Sequence, residues 1–258
     1  MELIHTPEGL RYYKANLGVR HGFFTRRGGA SIAPFASLNL GGSVGDSPEA
    51  VRENHLRMYN ALGVNPRRAV TTWLVHSCDV VVANEPMPTG QTWLAQADAI
   101  ITQQPDLPLT MRYADCTPIV LYDPVQRAIG IVHAGWRGTA QRIASATVTA
   151  MVRAFGTRPS DMEAAIGPSI SWQNYPIGDN VASAIQEAYQ DTEGLLCPHP
   201  QDGQICLDLW AANARDLYEV GVQDVQILPL CTAERTDEFY SHRAEGGNTG
   251  RFGVVVSL

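Results

Sequence analysis

The sequence predicts a mixed α+β fold in which largely antiparallel β-sheets are flanked by helices. Two observations predict it. Strand-like runs outnumber helical ones, and several consecutive strands are joined by connections too short to hold the crossover helix that parallel pairing needs. Three well-punctuated helical stretches lie among the strands.

The first strand-like run covers residues 21–25. A helix then spans 47–62, with Ser47 as N-cap, Pro48 in the first turn and Gly63 just past its end. Apolar runs at 70–75, 80–84, 99–102, 109–113, 118–122 and 128–133 read as strands. A second helix covers 139–155, stopped by Gly156 and followed by Pro159. A strand at 164–166 precedes the third helix, 208–220, which has Asp208 as N-cap and Gly221 behind it. Strands at 225–228 and 253–258 complete the reading.

A chain of 258 residues, 45% hydrophobic, without repeats or low-complexity tracts, is expected to fold as one domain over 1–258. Its beginning has no basic stretch followed by an apolar one, and nowhere do 18 apolar residues run together, so a cytoplasmic protein that does not enter a membrane is expected. Five cysteines, an odd number without a C-x-x-C pair, suit reduced thiols better than a disulfide framework. The formal charge of −7 repels nucleic acid and anionic lipid, so an anionic partner needs a local basic site. Arg26 and Arg243 offer two such sites, each in a glycine-rich loop where backbone amides can approach an anion. An ordinary ion pair within the loop is the competing reading of each.

Chemistry concentrates between Ala114 and Gly138. Two apolar strands flank Asp123-Pro124-Val125-Gln126, a natural turn, and so form a β-hairpin. A turn centred on Pro124 and Val125 pairs residues whose numbers sum to 249, which sets Cys116 opposite His133 with Cβ atoms about 4.5–5.5 Å apart. One zinc ion, about 2.3 Å from a thiolate and about 2.0–2.1 Å from an imidazole nitrogen, fits between them. Of the remaining histidines (His5, His21, His55, His76, His199 and His242), His76 is the best third ligand, because it ends an apolar run where strand meets loop. Asp115, beside Cys116, is placed to orient a ligand or take a proton. A lone histidine at a strand end is more often a structural residue, and a metal-free Cys–His hydrolase would use the same pair, so both alternatives stay open on the residues alone.

Thr25-Arg26-Arg27-Gly28-Gly29, Ser37-Leu38-Asn39-Leu40-Gly41, Gly45-Asp46, Val75-His76, Ala97-Asp98-Ala99, Ala114-Asp115-Cys116-Thr117-Pro118, His133-Ala134-Gly135-Trp136-Arg137-Gly138, Ile166-Gly167-Pro168-Ser169-Ile170 and Thr249-Gly250-Arg251 together resemble the YfiH-like proteins. These are also called laccase-domain or polyphenol oxidase family proteins, and are described as purine nucleoside phosphorylases. The resemblance implies a fold similar to the cytotoxic necrotizing factor catalytic domain, and His76, Cys116 and His133 as ligands of zinc, with copper as the alternative metal. It implies phosphorolysis of adenosine, inosine and methylthioadenosine, with adenosine deamination as a side activity. Cys116, His133 and Asp115 then become the catalytic candidates, and Arg26, Asn39 and Arg243 the substrate and phosphate binders.

The chain departs from the family pattern at Leu74, where a glutamine is usual, and at Ala244, where a second arginine is usual. The alternative within the resemblance is a zinc amidase acting on UDP-N-acetylmuramoyl-L-serine, a UDP-linked cell-wall precursor. The older family name suggests a third, copper-dependent polyphenol oxidation, for which seven histidines without a His-x-His pair are few.

Overall fold

The computed structural model describes residues 2–258. Strands β1 (Glu2–His5), β2 (Arg11–Lys14) and β3 (Arg20–Phe24) lead into helix α1 (Pro48–Ala61). Next come β4 (Val80–Val82), β5 (Ala99–Thr102), β6 (Leu109–Tyr113), β7 (Thr117–Asp123) and β8 (Ala128–Ala134). The chain continues through α2 (Trp136–Ala140), α3 (Ile143–Phe155), β9 (Glu163–Ile166), α4 (Asp179–Ala188), β10 (Leu196–Pro198) and β11 (Ile205–Leu207). It ends with α5 (Leu209–Glu219), β12 (Asp224–Ile227) and β13 (Phe252–Ser257).

Two sheets dominate. One runs β1-β2-β3-β13-β6 and the other β12-β9-β7-β8-β5-β4, with β10 and β11 as a separate ribbon. Among the strands of the described residues only β12/β9 and β4/β5 pair in parallel, so the expectation of largely antiparallel sheets holds. The two sheets share a core in which Phe23, Met111 and Val254 of the first meet Ile100, Val120 and Ile131 of the second. The second sheet turns its other face, with Ile101, Ile119 and Val132, onto Val148 and Met151 of α3 and Leu217 of α5. The first sheet covers its outer face with Met58 and Tyr59 of α1 and the loop residues Leu38 and Leu40. Period-2 alternation thus loads both faces of each sheet with apolar residues, which gives four layers in the order helix, sheet, sheet, helices.

Helix α1 starts as the sequence predicts: Ser47 accepts a hydrogen bond from the backbone amide of Ala50, and Gly63 takes a positive φ of 64° behind the last turn. Asp208 caps α5 in the same way, through the amide of Ala211.

Four expectations need correction. Residues 70–75 form no strand, only isolated bridges at Val70 and Trp73, and the run at 80–84 shortens to Val80–Val82. The helix expected over 139–155 is two helices, broken at Arg142, which adopts a left-handed φ of 62°. Asp216 on α5 explains the break: it accepts the Ser145 amide in the first turn of α3 and pairs with Arg142 at 2.6 Å, so tertiary contacts outweigh local helix propensity. The β7–β8 hairpin pairs Pro118 with His133, so facing numbers sum to 251 rather than 249. Its loop is longer than expected because Asp123 accepts the amides of Val125 and Gln126 while Arg127 supplies a positive φ of 49°. The amphipathic α4 and the β10–β11 ribbon were not anticipated.

Candidate metal centre

Cys116 does not face His133 directly. It lies two residues before Pro118, in the bend between β6 and β7, and so keeps the parity that turns both side chains to one side of the hairpin. Asp115 makes the bend with a φ of 84°. His133 sits near the end of β8, while His76 stands in the loop before β4 with a φ of 60°. The candidate ligand atoms of His76, Cys116 and His133 all lie within 4.8 Å of one another. Cys116 Sγ is 4.0 Å from His76 Nε2, and the two imidazole rings meet edge to face with centroids 5.1 Å apart.

Asp98 organises this group. Its Oδ1 lies 2.9 Å from His133 Nδ1, and since a carboxylate only accepts, Nδ1 carries a proton and Nε2 is the ring nitrogen that would face a metal. Its Oδ2 accepts the amides of Val75 and Ser77, the residues on either side of His76. One buried carboxylate therefore fixes a ring on β8 and a loop before β4. The backbone adds to this, with the His133 amide donating to the Asp98 carbonyl at 2.7 Å. Asp98 belongs to the Ala97-Asp98-Ala99 motif, but no role was assigned to it, because a lone aspartate before a strand carries no spacing signal.

Burial alone would raise the Cys116 thiol. The His133 and His76 rings outweigh it and bring the thiol down to about 6, so the free cluster holds a thiolate near neutral pH. Burial would lower His133, but the Cys116 thiolate first and the Asp98 hydrogen bond next outweigh it and hold it up. Gly135 opens the space these groups occupy: a Cβ there would stand 2.9 Å from Cys116 Sγ and 3.1 Å from the His76 ring. A thiolate and two imidazoles, one oriented by a carboxylate, match the donor set of a tetrahedral metal site that leaves one position open.

The other expected site residues divide. Asp115 is buried and uses both carboxylate oxygens, accepting Thr232 Oγ1 at 2.6 Å and the Arg243 amide at 2.7 Å, so it ties the cysteine bend to the Arg243 loop. Arg243 stacks its guanidinium over Tyr175 at 5.0 Å and donates to the Pro176 carbonyl, leaving its other donors free at the surface. Arg26 uses all three guanidinium nitrogens, on the carbonyls of Pro34, Ala36 and Thr236 and on Glu245 at 2.9 Å. For Arg26 the loop ion pair is thus what the structure contains. Asn39 is wholly buried; its carboxamide bonds Asp46, Gly41 and the Arg251 amide, which is a bracing arrangement. Leu74 packs against the core between the sheets.

Tyr175 and Trp136 add aromatic surface that the sequence reading did not single out. Burial raises the Tyr175 hydroxyl well above its usual range, with the Cys116 thiolate next in effect and Arg243 opposing it. Arg137 lies 4.4 Å over the ring of Trp136.

Residues 20–258 match the family described as multi-copper polyphenol oxidoreductase laccase. The chain is 39% identical to a purine nucleoside phosphorylase of Deinococcus radiodurans over 254 residues, 98% of this chain and 95% of that one. It is 33% identical to a purine nucleoside phosphorylase of Bacteroides thetaiotaomicron, over 92% of each chain. Among solved structures, a Bacillus licheniformis hypothetical protein named YfiH superposes with a TM-score of 0.92 at 31% identity, over 99% of this chain and 98% of that one. YlmD from Geobacillus stearothermophilus gives 0.88 at 31% identity, with the same coverage.

Proposed function

The chain belongs to the multi-copper polyphenol oxidoreductase laccase family, and from its relatives' names and its His76–Cys116–His133 cluster we propose that it is a zinc-dependent purine nucleoside phosphorylase. The observation that carries the reading is the cluster with Asp98 behind it, a donor set suited to one zinc ion. When bound, zinc supplies a Lewis acid for a phosphate or nucleoside oxygen.

The substrates are adenosine, inosine and methylthioadenosine, with phosphate as co-substrate. A phosphate oxygen attacks C1′ of the ribose, the bond from C1′ to N9 breaks, and the purine leaves and takes up a proton. The chain's task is to hold the attacking oxygen near C1′ and to exclude water, since water in that position would hydrolyse the nucleoside. Cys116 and His133, with His76, would hold the metal, which would supply a Lewis acid beside the reacting groups. Asp115, with both oxygens engaged, acts as a positioning residue for Cys116 and for Arg243 rather than as a proton carrier. Arg243 presents free donors to the phosphate, and Tyr175 offers a face against which a purine can stack. Deamination of adenosine is the side activity and needs a different pose, in which water adds at C6 of the purine and ammonia leaves.

Copper is the second reading of the cluster, favoured by the family's description, because two imidazoles and a thiolate also suit copper. The relatives' names support a nucleoside and phosphate over a UDP-linked cell-wall precursor. The test is elemental analysis of protein purified without added metal, followed by turnover of adenosine with and without phosphate. One zinc per chain and adenine release that saturates with phosphate are expected. Copper with phenol oxidation and no nucleoside turnover would overturn the proposal.

A further inference from the structure

Two arginines near the candidate metal centre have no acidic partner among the described residues. The register of β6 and β13 sets Arg112 opposite Gly253, and Arg251 stands two residues before Gly253, so both belong to one face of the first sheet. Such diagonal neighbours lie about 7–8 Å apart along the backbone. Gly253 is bare because the loop and α1 close over it: a Cβ there would be 2.3 Å from Leu40 Cδ1 and 2.7 Å from Met58 Sδ. Arg251 is held from the same side, with its Cγ 2.9 Å from where a Cβ on Gly41 would be.

Among the described residues neither guanidinium forms an ion pair. Arg112 donates Nη2 to the Thr72 carbonyl at 2.9 Å, and Arg251 donates Nη1 to the carbonyls of Thr249 and Gly250. Nε and the second terminal nitrogen of each arginine have no protein acceptor. Thr72 itself is buried, and its hydroxyl has no hydrogen-bond partner.

The surroundings sharpen the imbalance. His55, on α1, bonds the Leu40 carbonyl; burial first, and then the charge of Arg112, push its pKa down to about 4, so it adds no charge of its own. Burial and Arg251 also lower the pKa of Arg112, while Arg251 feels the opposing pull of Cys116 and Asp115. Two like charges partly withdrawn from water, with free donors and no carboxylate bonded to either among the described residues, form an arrangement that an anion would stabilise.

We propose that Arg112 and Arg251 form the binding site for inorganic phosphate, next to the metal cluster, with the Thr72 hydroxyl as a further donor. Arginine is suited to this, since its forked donors bind a phosphate with two bonds each. The location comes through Arg251, which is near enough to Cys116 and Asp115 to feel both charges, while Arg112 points to the face of β6 opposite Tyr113 and shares that outer face with Arg251. The proposal rests on the phosphorylase reading for the identity of the anion.

The experiment compares wild-type protein, as isolated with its metal, with R112M, R251M, R112K and R251K. Inorganic phosphate is titrated calorimetrically, and the phosphate and adenosine dependences of adenine release are measured separately. R112M and R251M should each raise the KM for phosphate by about tenfold or more, as the loss of a charge-assisted bidentate pair requires, while the KM for adenosine changes less than about threefold. The lysine variants should recover part of the loss and serve as the test if a methionine variant melts early. Unchanged phosphate dependence in both arginine positions, in a protein that does phosphorolyse adenosine, would overturn the site and leave the phosphorylase reading standing. Phosphate binding lost in the variants of a protein without phosphorolysis would support the site and overturn that reading. A wild-type protein that neither binds phosphate nor uses it would remove both.

Discussion

His133 donates its Nδ1 proton to Asp98 across 2.9 Å, and the second oxygen of Asp98 holds the amides that flank His76. One carboxylate thus sets the tautomer of one candidate ligand and the loop geometry of another. Replacing it by asparagine keeps an acceptor for the amides but weakens the charge that favours the Nδ1–H form. Asp98→Asn should therefore lower metal affinity by about 10–100-fold with little change in circular dichroism. Chelator competition reads this directly, and equal affinity in the variant would remove Asp98 from the site.

Cys116→Ala should abolish metal binding, because neither a methyl group nor a nearby hydroxyl replaces a thiolate. Cys197→Ala and Cys231→Ala should retain the wild-type metal content: Cys231 accepts the Ser171 amide, and Cys197 lies in the separate β10–β11 ribbon. Elemental analysis checks all three. Metal lost from either of the last two would mean that the wrong sulfur had been assigned.

His55 gives a pH signature. Its folded pKa, about 4, lies below its ordinary value near 6.5, so the native state binds fewer protons than the unfolded chain between these limits. Its contribution is fully present above about pH 6.5 and is lost as pH falls through about 4. His21 is also depressed by burial and titrates in the same direction, so the test is a difference between proteins. In phosphate-free buffer, denaturant stability of the wild type should fall between pH 6.5 and 4, and His55→Gln should fall less steeply, by on the order of 1–2 kcal/mol after allowance for partial exposure. Parallel pH profiles would show that His55 is not held neutral.

The break between α2 and α3 carries its own energetic expectation. Asp216 is buried and serves both the Ser145 amide and Arg142, whose guanidinium also stacks on Tyr189 and reaches Glu219. Asp216→Ala leaves a helix start uncapped and a half-buried charge with one partner fewer. A loss of about 2–3 kcal/mol in urea unfolding, with metal content unchanged, is expected. A loss below about 0.5 kcal/mol would mean that Arg142 adopts its left-handed conformation for another reason.

What the sequence revealed followed from local rules. Ser47, Asp208 and the glycines behind each helix act within a few residues of where they stand, so the ends of α1 and α5 were legible, as were the strands whose apolar runs lie in the sheet centres. Cys116 and His133 were legible as a candidate pair because they stand at the open end of one hairpin, whereas His76 was a choice among the remaining histidines that the family resemblance supported. The hairpin's register was nonetheless off by two in the sum. Asp123 made that difference, since a side chain that accepts two loop amides lengthens a turn in a way that Pro124 alone does not announce. Residues that act across the fold were hidden. Asp98 reaches 35 positions along the chain to His133, and the Asp216–Arg142 pair spans 74. Arg26 looked like an anion binder because its loop is rich in glycine, and only the fold brings Glu245 to it.

Arg243 is the arginine for which side chain and backbone separate cleanly. Its amide holds Asp115, whereas its guanidinium lies over Tyr175 with one bond to the Pro176 carbonyl and is otherwise exposed. Arg243→Ala keeps the first contact and removes the second, so the bend at Cys116 should survive and the melting temperature should move by less than about 2 °C. If the free donors reach phosphate, the KM for phosphate should rise several-fold while kcat at saturation stays within about a factor of two, since binding is lost and the metal cluster is left intact. A rise confined to the nucleoside would assign the guanidinium to the purine side, where it would reinforce stacking on Tyr175. Asp115→Asn is the matching control. It should disturb both the Arg243 loop and the Cys116 bend, lowering metal content as well as turnover, because a carboxamide cannot accept from Thr232 and from the Arg243 amide with two oxygens. A stable Arg243→Ala enzyme with unchanged phosphate and nucleoside dependence would leave Arg243 only the bond to Pro176 and the stacking on Tyr175.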